Sequence, residues 1–176
     1  ELGEWRLGWV EQIGRDRLSL ATDDYLLSRP GMDLVERWRE SGWRLKAVFD
    51  QLDHAYFPTK GWRLDGQWFQ GRGRARQDSS YAEGYLRYID LQGQWVNSWG
   101  PHTLCLMGRL ALSEGAQPAI GRFGLGGFQQ LSGYAPFQVA GPQVALLRLG
   151  YHVRLSDMPL TRGLFAGTSL EVGNAW

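Results

Sequence analysis

Lysine is almost missing from this chain. Of 19 basic residues only Lys46 and Lys60 are lysines; the rest are arginines. With 18 acidic residues the formal net charge is +1, so no polyanionic partner is implied and nucleic acid is not expected. A single cysteine, Cys105, excludes a disulfide framework and a cysteine-based metal site. No apolar run approaches the roughly 20 residues of a membrane helix. The mean hydropathy of −0.35 still leaves a membrane open, because the strands of a transmembrane barrel alternate polar and apolar residues. The chain opens on Glu1, without an initiator Met or a signal peptide, and we expect it to be a piece of a longer protein.

Glycine and tryptophan are abundant instead, at 24 and nine residues. Together they point to β structure with many turns. The stretch from Gly121 to Leu155 has two halves. Gly121 to Pro136 is crowded with glycine and aromatics, lacks a helical period, and reads as a loop packed on itself. Gln143 to Leu155 alternates, with Ala145, Leu147, Leu149, Tyr151 and Val153 opposite Arg148, Gly150, His152 and Arg154. A period of two is the signature of a strand.

The same alternation recurs along the chain. Glu4 to Glu11 is a strand, and Arg15 to Thr22 a weaker one beyond a break at Gln12-Ile13-Gly14. Ser28-Arg29-Pro30-Gly31 is a turn. Asp33 to Glu40 is ambiguous: Leu34, Val35 and Trp38 have helical spacing with Asp33 as a cap, but Glu40-Ser41-Gly42 before the clear strand Trp43 to Gln51 suits a hairpin turn, and strand is the preferred reading. Leu52 to Gly61 is rich in breakers, and Trp62 to Phe69 follows as a strand. Gly71 to Ser80 reads as a polar connection. Tyr81 to Leu91 alternates, with Ala82, Gly84, Leu86 and Tyr88 as its apolar face. Gln92-Gly93 and the Trp95/Trp99 region connect it to His102 to Leu112. Pro159 to Gly163 turns the chain into Leu164 to Val172.

Segments of about nine to eleven residues cross a bilayer when tilted. Each segment has one apolar face, and aromatics cluster at segment ends as in the girdles of barrels. The opposite faces carry charge in mid-strand: Arg44, Asp65, Glu83, Arg87, Arg109, Arg148 and Glu171. A soluble sandwich would have to pack all those Trp and Leu faces together. In a barrel they face lipid, and these charges of both signs face the lumen and pair there. The expected fold is all-β, an antiparallel up-and-down transmembrane-type barrel. At roughly 20 residues per strand and turn, about eight or nine strands are present. The whole of 1–176 forms one domain or barrel fragment, with an inward-folding loop at about 115–139. The alternative is a soluble β-sandwich that binds carbohydrate through Trp62, Trp68, Trp95 and Trp99.

Two motifs carry a resemblance. Asp53, Phe57, Pro58 and Gly61, in the run Asp53-His54-Ala55-Tyr56-Phe57-Pro58-Thr59-Lys60-Gly61, resemble the Asp…Phe-Pro-Thr-basic-Gly turn of the bacterial surface antigen barrels. That outer-membrane superfamily includes protein-assembly and two-partner translocation barrels. Phe123, Gly126 and Gly127, followed by Leu131-Ser132-Gly133-Tyr134, resemble its Phe-x-x-Gly-Gly stretch and the Arg-Gly-aromatic tip of a loop folded into the barrel. Ser132 stands where most members have the arginine that belongs to the usual contact between loop tip and barrel wall. The Leu-Ser-Gly-Tyr form is similar to the branch in which the barrel follows a patatin-like phospholipase domain, as is Leu170 to Trp176. The resemblance spans about residues 43–176. It implies part of a barrel of about 16 strands in the outer membrane of a Gram-negative bacterium. Such a module anchors or translocates an N-terminal patatin-like domain. Its partners are outer-membrane lipids and that domain; a homo-oligomer is compatible with it.

No catalytic constellation accompanies this. The Gly-x-Ser-x-Gly elbow is absent, and the patatin-like catalytic residues would lie upstream. Ser132 reads as a turn residue. A small lipid-cleaving barrel would need a Ser-His pair that the sequence does not display. His54, His102 and His152 are far apart and lack ligand spacing, so neither a metal nor another cofactor is expected. Gly124, Gly126 and Gly127 lack the Lys-Ser/Thr of a phosphate loop. Arg72, Arg74 and Arg76 form a basic cluster, read as a solvated loop, with lipopolysaccharide phosphates as the alternative ligand.

Overall fold

Alternation carries most of the described chain into strands. The computed structural model describes residues 4–17, 35–55, 57–77, 80–115, 122–158 and 161–176, and contains no helix among them. The strands are β1 (Glu4–Arg17), β2 (Val35–Asp50), β3 (Lys60–Gln77), β4 (Ser80–Trp99), β5 (His102–Glu114), β6 (Phe123–Leu125), β7 (Val139–Gly141), β8 (Gln143–Met158) and β9 (Thr161–Ala175). The protein is all-β and its sheets are antiparallel.

Seven strands form one meander in the order β1-β2-β3-β4-β5-β8-β9, and β6 and β7 form a separate two-stranded sheet. Among the described residues the main sheet has seven of the nine strands; about eight or nine were expected over the whole chain. Among the described residues no ladder joins β1 to β9, so the sheet is open. An odd number of antiparallel strands leaves β1 and β9 running in the same direction. The connections 51–59 and 100–101 lie at one end, the turn end. The 115–142 excursion leaves from the other.

The strands are longer than the local cues suggest. β1 is continuous through Gln12-Ile13-Gly14, which pairs with Glu40, Arg39 and Trp38. Ser41-Gly42 is no turn: it lies inside the 16-residue β2. Gly42 pairs with Gly71, and a Cβ on Gly42 would fall 2.4 Å from the Gln70 carbonyl oxygen. The glycine answers a close approach between strands, not a reversal. The supposed connection 71–80 is ladder too, since Arg74 pairs with Glu83 and Gln77 with Ser80. β4 runs on through Gln92-Gly93 to Trp99, held on both sides by β3 and β5. Partner length, not local composition, decides where these ladders stop. The Ser28-Arg29-Pro30-Gly31 turn, residues 18–22 and the Pro159-Leu160 part of the last turn lie outside the described residues.

Residues 122–142 fold back over one face of the sheet. On this covered face Leu125 and Leu131 of the loop pack with Ala111, Val144 and Leu146, and Phe123 packs against Phe69, Leu86 and Tyr88. Burial of such a side chain is worth about 1.5–3 kcal/mol. The other face is open. It carries Trp43, Leu45, Phe49, Trp62, Leu64, Leu91, Trp95, Leu106, Leu110, Leu147, Leu149 and Leu170, all exposed.

Candidate functional site

The β2–β3 turn is organised by Asp53. Its carboxylate accepts the Thr59 and Lys60 amides at 2.8 and 3.1 Å. It also accepts the Thr59 hydroxyl. These bonds, the hydroxyl's first, hold the Asp53 carboxyl below its ordinary range. Gly61 follows at φ +116°, where a Cβ would meet the Gln51 carbonyl oxygen at 2.1 Å, so only glycine suits the position. The neighbouring His54 Nδ1 accepts the Phe57 amide at 3.1 Å. Phe57 stacks on Phe165 of β9 with centroids 6.1 Å apart. Pro58 lines the same region, a cavity of about 390 Å³ bordered by Phe57, Phe128, Arg148, His152 and Phe165.

The covered face holds the second arrangement. At its root, Phe123 meets Tyr88 edge-on at 5.9 Å, and Tyr88 stacks on Phe69 at 5.0 Å. The Tyr88 hydroxyl accepts hydrogen bonds from Arg44 at 3.3 Å and Gln67 at 3.1 Å. Arg44 also pairs with the buried Glu40 at 3.7 Å. Next to this, Arg109 donates twice to Asp90, at 3.1 and 2.9 Å. It reaches the Gly124 carbonyl at 3.5 Å and lies 5.9 Å above the Phe123 ring. One arginine thereby joins β4, β5 and the loop.

The loop tip is a compact knot. Gly126 donates to the Gln130 carbonyl at 2.6 Å, Gly127 to Tyr134 at 2.8 Å and Tyr134 to Leu131 at 3.0 Å. Gly126 has φ +128° and no room for a Cβ beside the Ala135 carbonyl. Leu131 adopts φ 71° although it is not glycine. Such a conformation costs on the order of 1 kcal/mol or more, offset by burial of the Leu131 side chain. Gly133 stands exposed beside Ser132.

Ser132 docks this knot on β9. Its amide donates to Glu171 Oε2 at 2.7 Å and its hydroxyl to the same oxygen at 3.0 Å. Glu171 also accepts the Ser169 hydroxyl at 3.1 Å and pairs with Arg148 Nε at 3.5 Å. Arg148 in turn donates to Gln129 of the loop at 3.0 Å. The Arg148 and Glu171 side chains are only 14% and 8% exposed, so the loop shields an ion pair that water would otherwise weaken.

The structure brings Arg44, Asp65, Arg109, Arg148 and Glu171 to the covered face. Asp65 pairs there with Arg63 at 3.5 Å and Lys46 at 3.9 Å. Glu83 and Arg87 are a correction: they lie on the open face. There they pair with Arg74 at 3.6 Å and Glu114 at 3.0 Å. The apolar residues of that part of β4, Leu86 and Tyr88, point to the loop instead. The loop supplies apolar partners on the covered face, which reverses the sign that alternation alone suggests. Sequence reasoning missed Asp90, Gln129 and Ser169, and took Thr59 only as part of the turn motif. Asp90 was legible in principle, since it shares the parity of Gln92 and Gln94. Gln129 and Ser169 gain their role only from loop docking.

The histidines are not brought together. His54 serves the turn, His102 bonds Tyr151 at 2.6 Å on the open face, and His152 meets Phe165 edge-on. Cys105 is half-buried and accepts a long hydrogen bond from Gln94. Among the described residues, no cluster of three or more His, Cys, Asp or Glu side chains is arranged to hold a metal ion. No protein-family model, no curated protein and no solved structure matches the chain.

Proposed function

We propose that the chain is a wall segment of an outer-membrane β-barrel of the surface-antigen type, from a Gram-negative bacterium. It anchors or translocates an attached N-terminal patatin-like domain and performs no chemistry of its own. One observation carries this reading. The open face carries a belt of large apolar side chains, with Leu147 51% and Leu170 71% exposed, and its Arg74–Glu83 and Arg87–Glu114 pairs lie at one end of that belt, while the covered face holds the loop and the Arg44–Glu40, Arg109–Asp90 and Arg148–Glu171 pairs. Water penalises so large an apolar surface, whereas lipid accepts it and requires the alternation seen here. A stacked set of Trp99, His102 and Tyr151 at the turn end suits an interfacial girdle. The loop, latched by Ser132 and Arg109, braces the interior of the wall. β1 and β9 run in the same direction, so all-antiparallel closure takes an odd number of further strands.

The test is refolding in detergent micelles and in plain buffer, followed by circular dichroism and by gel migration with and without boiling. A heat-dependent mobility shift and a β spectrum confined to detergent are expected. Leu147→Arg should impair insertion into vesicles by about 2–4 kcal/mol. A monodisperse β protein in buffer, with tryptophan emission that responds to sugars, would overturn the reading in favour of a soluble carbohydrate-binding sheet. The register pair Trp62–Trp95, exposed on the open face, is where that sugar would sit.

A further inference from the structure

We propose that the cavity between the loop tip and the β2–β3 turn is a binding site for a small uncharged aromatic molecule. The cavity lies on the covered face, so the site does not depend on whether lipid or water meets the open one. Its floor follows from register. Cys105 pairs with Gly150, and Gly150 with Ser169, so three small residues stand side by side on three adjacent strands. Larger groups rise around them, Arg148 and Gln129 toward the loop, His152 and Phe165 toward the turn. The turn reaches across from β2 and β3 to lay Phe57 on Phe165 of β9. The loop arrives from the opposite end and sets Phe128 at the rim. The space left is about 390 Å³, within the roughly 300–1,000 Å³ of small-molecule sites.

The walls select the ligand. Phe57 and Phe165 lie nearly parallel, 7° apart with centroids separated by 6.1 Å, and His152 meets Phe165 edge-on at 5.7 Å. Aromatic rings take both arrangements, offset-stacked and edge-to-face. A flat guest ring extends this cluster toward Phe128, which is 86% exposed at the rim. Gln129, next to it, holds φ 66°. A residue other than glycine is strained there, and such strain gathers at ligand clamps. The Gln129 side chain accepts a hydrogen bond from Arg148 at 3.0 Å, and Arg148 also pairs with Glu171 at 3.5 Å. The arginine of the wall is thus answered inside the chain, and the guest needs no charge. Gln94 donates to the weakly accepting Cys105 thiol at 3.5 Å and lines the cavity together with Ser169. These two supply the few polar contacts that orient a guest in an otherwise apolar site.

Cys105 lines the cavity and is the only thiol of the chain, so it reports on what enters. The full chain, folded in micelles or in buffer, is reacted with N-phenylmaleimide and with N-ethylmaleimide. Each rate is divided by the same reagent's rate with glutathione. By this measure the phenyl reagent should react about tenfold faster, as two ring contacts predict, with saturation, and 2-naphthol should slow it. Phe57→Ala and Phe128→Ala should each lower the preference about fivefold, the loss of one ring contact. The exposed Phe128 can be removed without unfolding the chain, which circular dichroism checks. Cys105→Ala/Leu106→Cys moves the thiol to the open face and controls for partition of the phenyl reagent into micelles. There neither Phe128→Ala nor 2-naphthol should have an effect. Equal rates for the two reagents, a preference unchanged in Phe128→Ala, the same response at the open-face thiol, or no reaction of Cys105 at all would overturn the site while leaving the barrel reading standing. A chain that folds in neither medium would overturn both.

Discussion

Ser132 and Glu171 stand 39 residues apart in sequence, yet the serine amide lies 2.7 Å from the glutamate carboxylate. The loop tip is held to the sheet by a backbone donor and a hydroxyl. The arginine of this contact, Arg148, comes from the sheet and reaches Glu171 from the side.

This arrangement separates the effects of the two residues. Ser132→Ala keeps the amide donor and should cost about 1 kcal/mol of loop docking. Glu171→Ala removes the acceptor of all these donors and leaves Arg148 without its carboxylate, which should cost about 3 kcal/mol. Limited chymotrypsin digestion of the refolded protein checks this. Cleavage at Phe128 and Tyr134 should rise slightly in the first variant and strongly in the second. Equal rates in both would contradict the latch.

The Arg109–Asp90 pair is part-buried, with side chains 18% and 27% exposed. Removing Arg109 with Met leaves Asp90 unanswered and should destabilise by about 2–3 kcal/mol. Arg109→Met/Asp90→Leu should recover part of that loss, because both desolvation costs vanish. Denaturant unfolding in micelles measures the coupling; strict additivity of the two changes would mean that the pair does not couple.

At the loop root, Phe123→Ala should cost about 3 kcal/mol through the cavity it leaves against Tyr88. Tyr88→Phe keeps the ring stack but removes the acceptor of Arg44 and Gln67, for about 1 kcal/mol. Comparing the two variants by thermal mobility shift tells packing from hydrogen bonding.

Asp53 makes the turn sensitive to acid. Its folded pKa lies below the ordinary 3.8, so its stabilisation is present in full above that value and fades as pH falls through the lowered one. Water screens this exposed carboxylate, which limits the effect to roughly 0.5–1 kcal/mol. Hydrogen exchange at the Thr59 and Lys60 amides should show protection at pH 6 that diminishes toward pH 2. Asp53→Asn should lower protection at pH 6 and abolish the pH step; a step that persists in this variant would assign it elsewhere.

Much of this architecture is written in period two. The alternations at Trp43 to Asp50, His102 to Leu112 and Gln143 to Leu155 each sit within strands with the faces expected. The breaker-rich run 52–61 contains the turn. The glycine-rich half of 121–136 was readable as a loop because no period organises it. At Gly42 and Gly71 the same residue type misled. Glycine marks a turn and a close approach between strands alike, and only the neighbouring strand distinguishes them.

By itself the sequence determined the strands, their alternation and the residue types available to each face, because these depend on neighbours one or two positions away. The tertiary structure alone decided which face of β4 meets the loop. It also decided where the ladders end and which carboxylate receives Ser132. Those outcomes depend on groups dozens of residues apart. Leu86 and Tyr88 are apolar in either environment, and only the arrival of Phe123 from the loop sets the side on which they are buried.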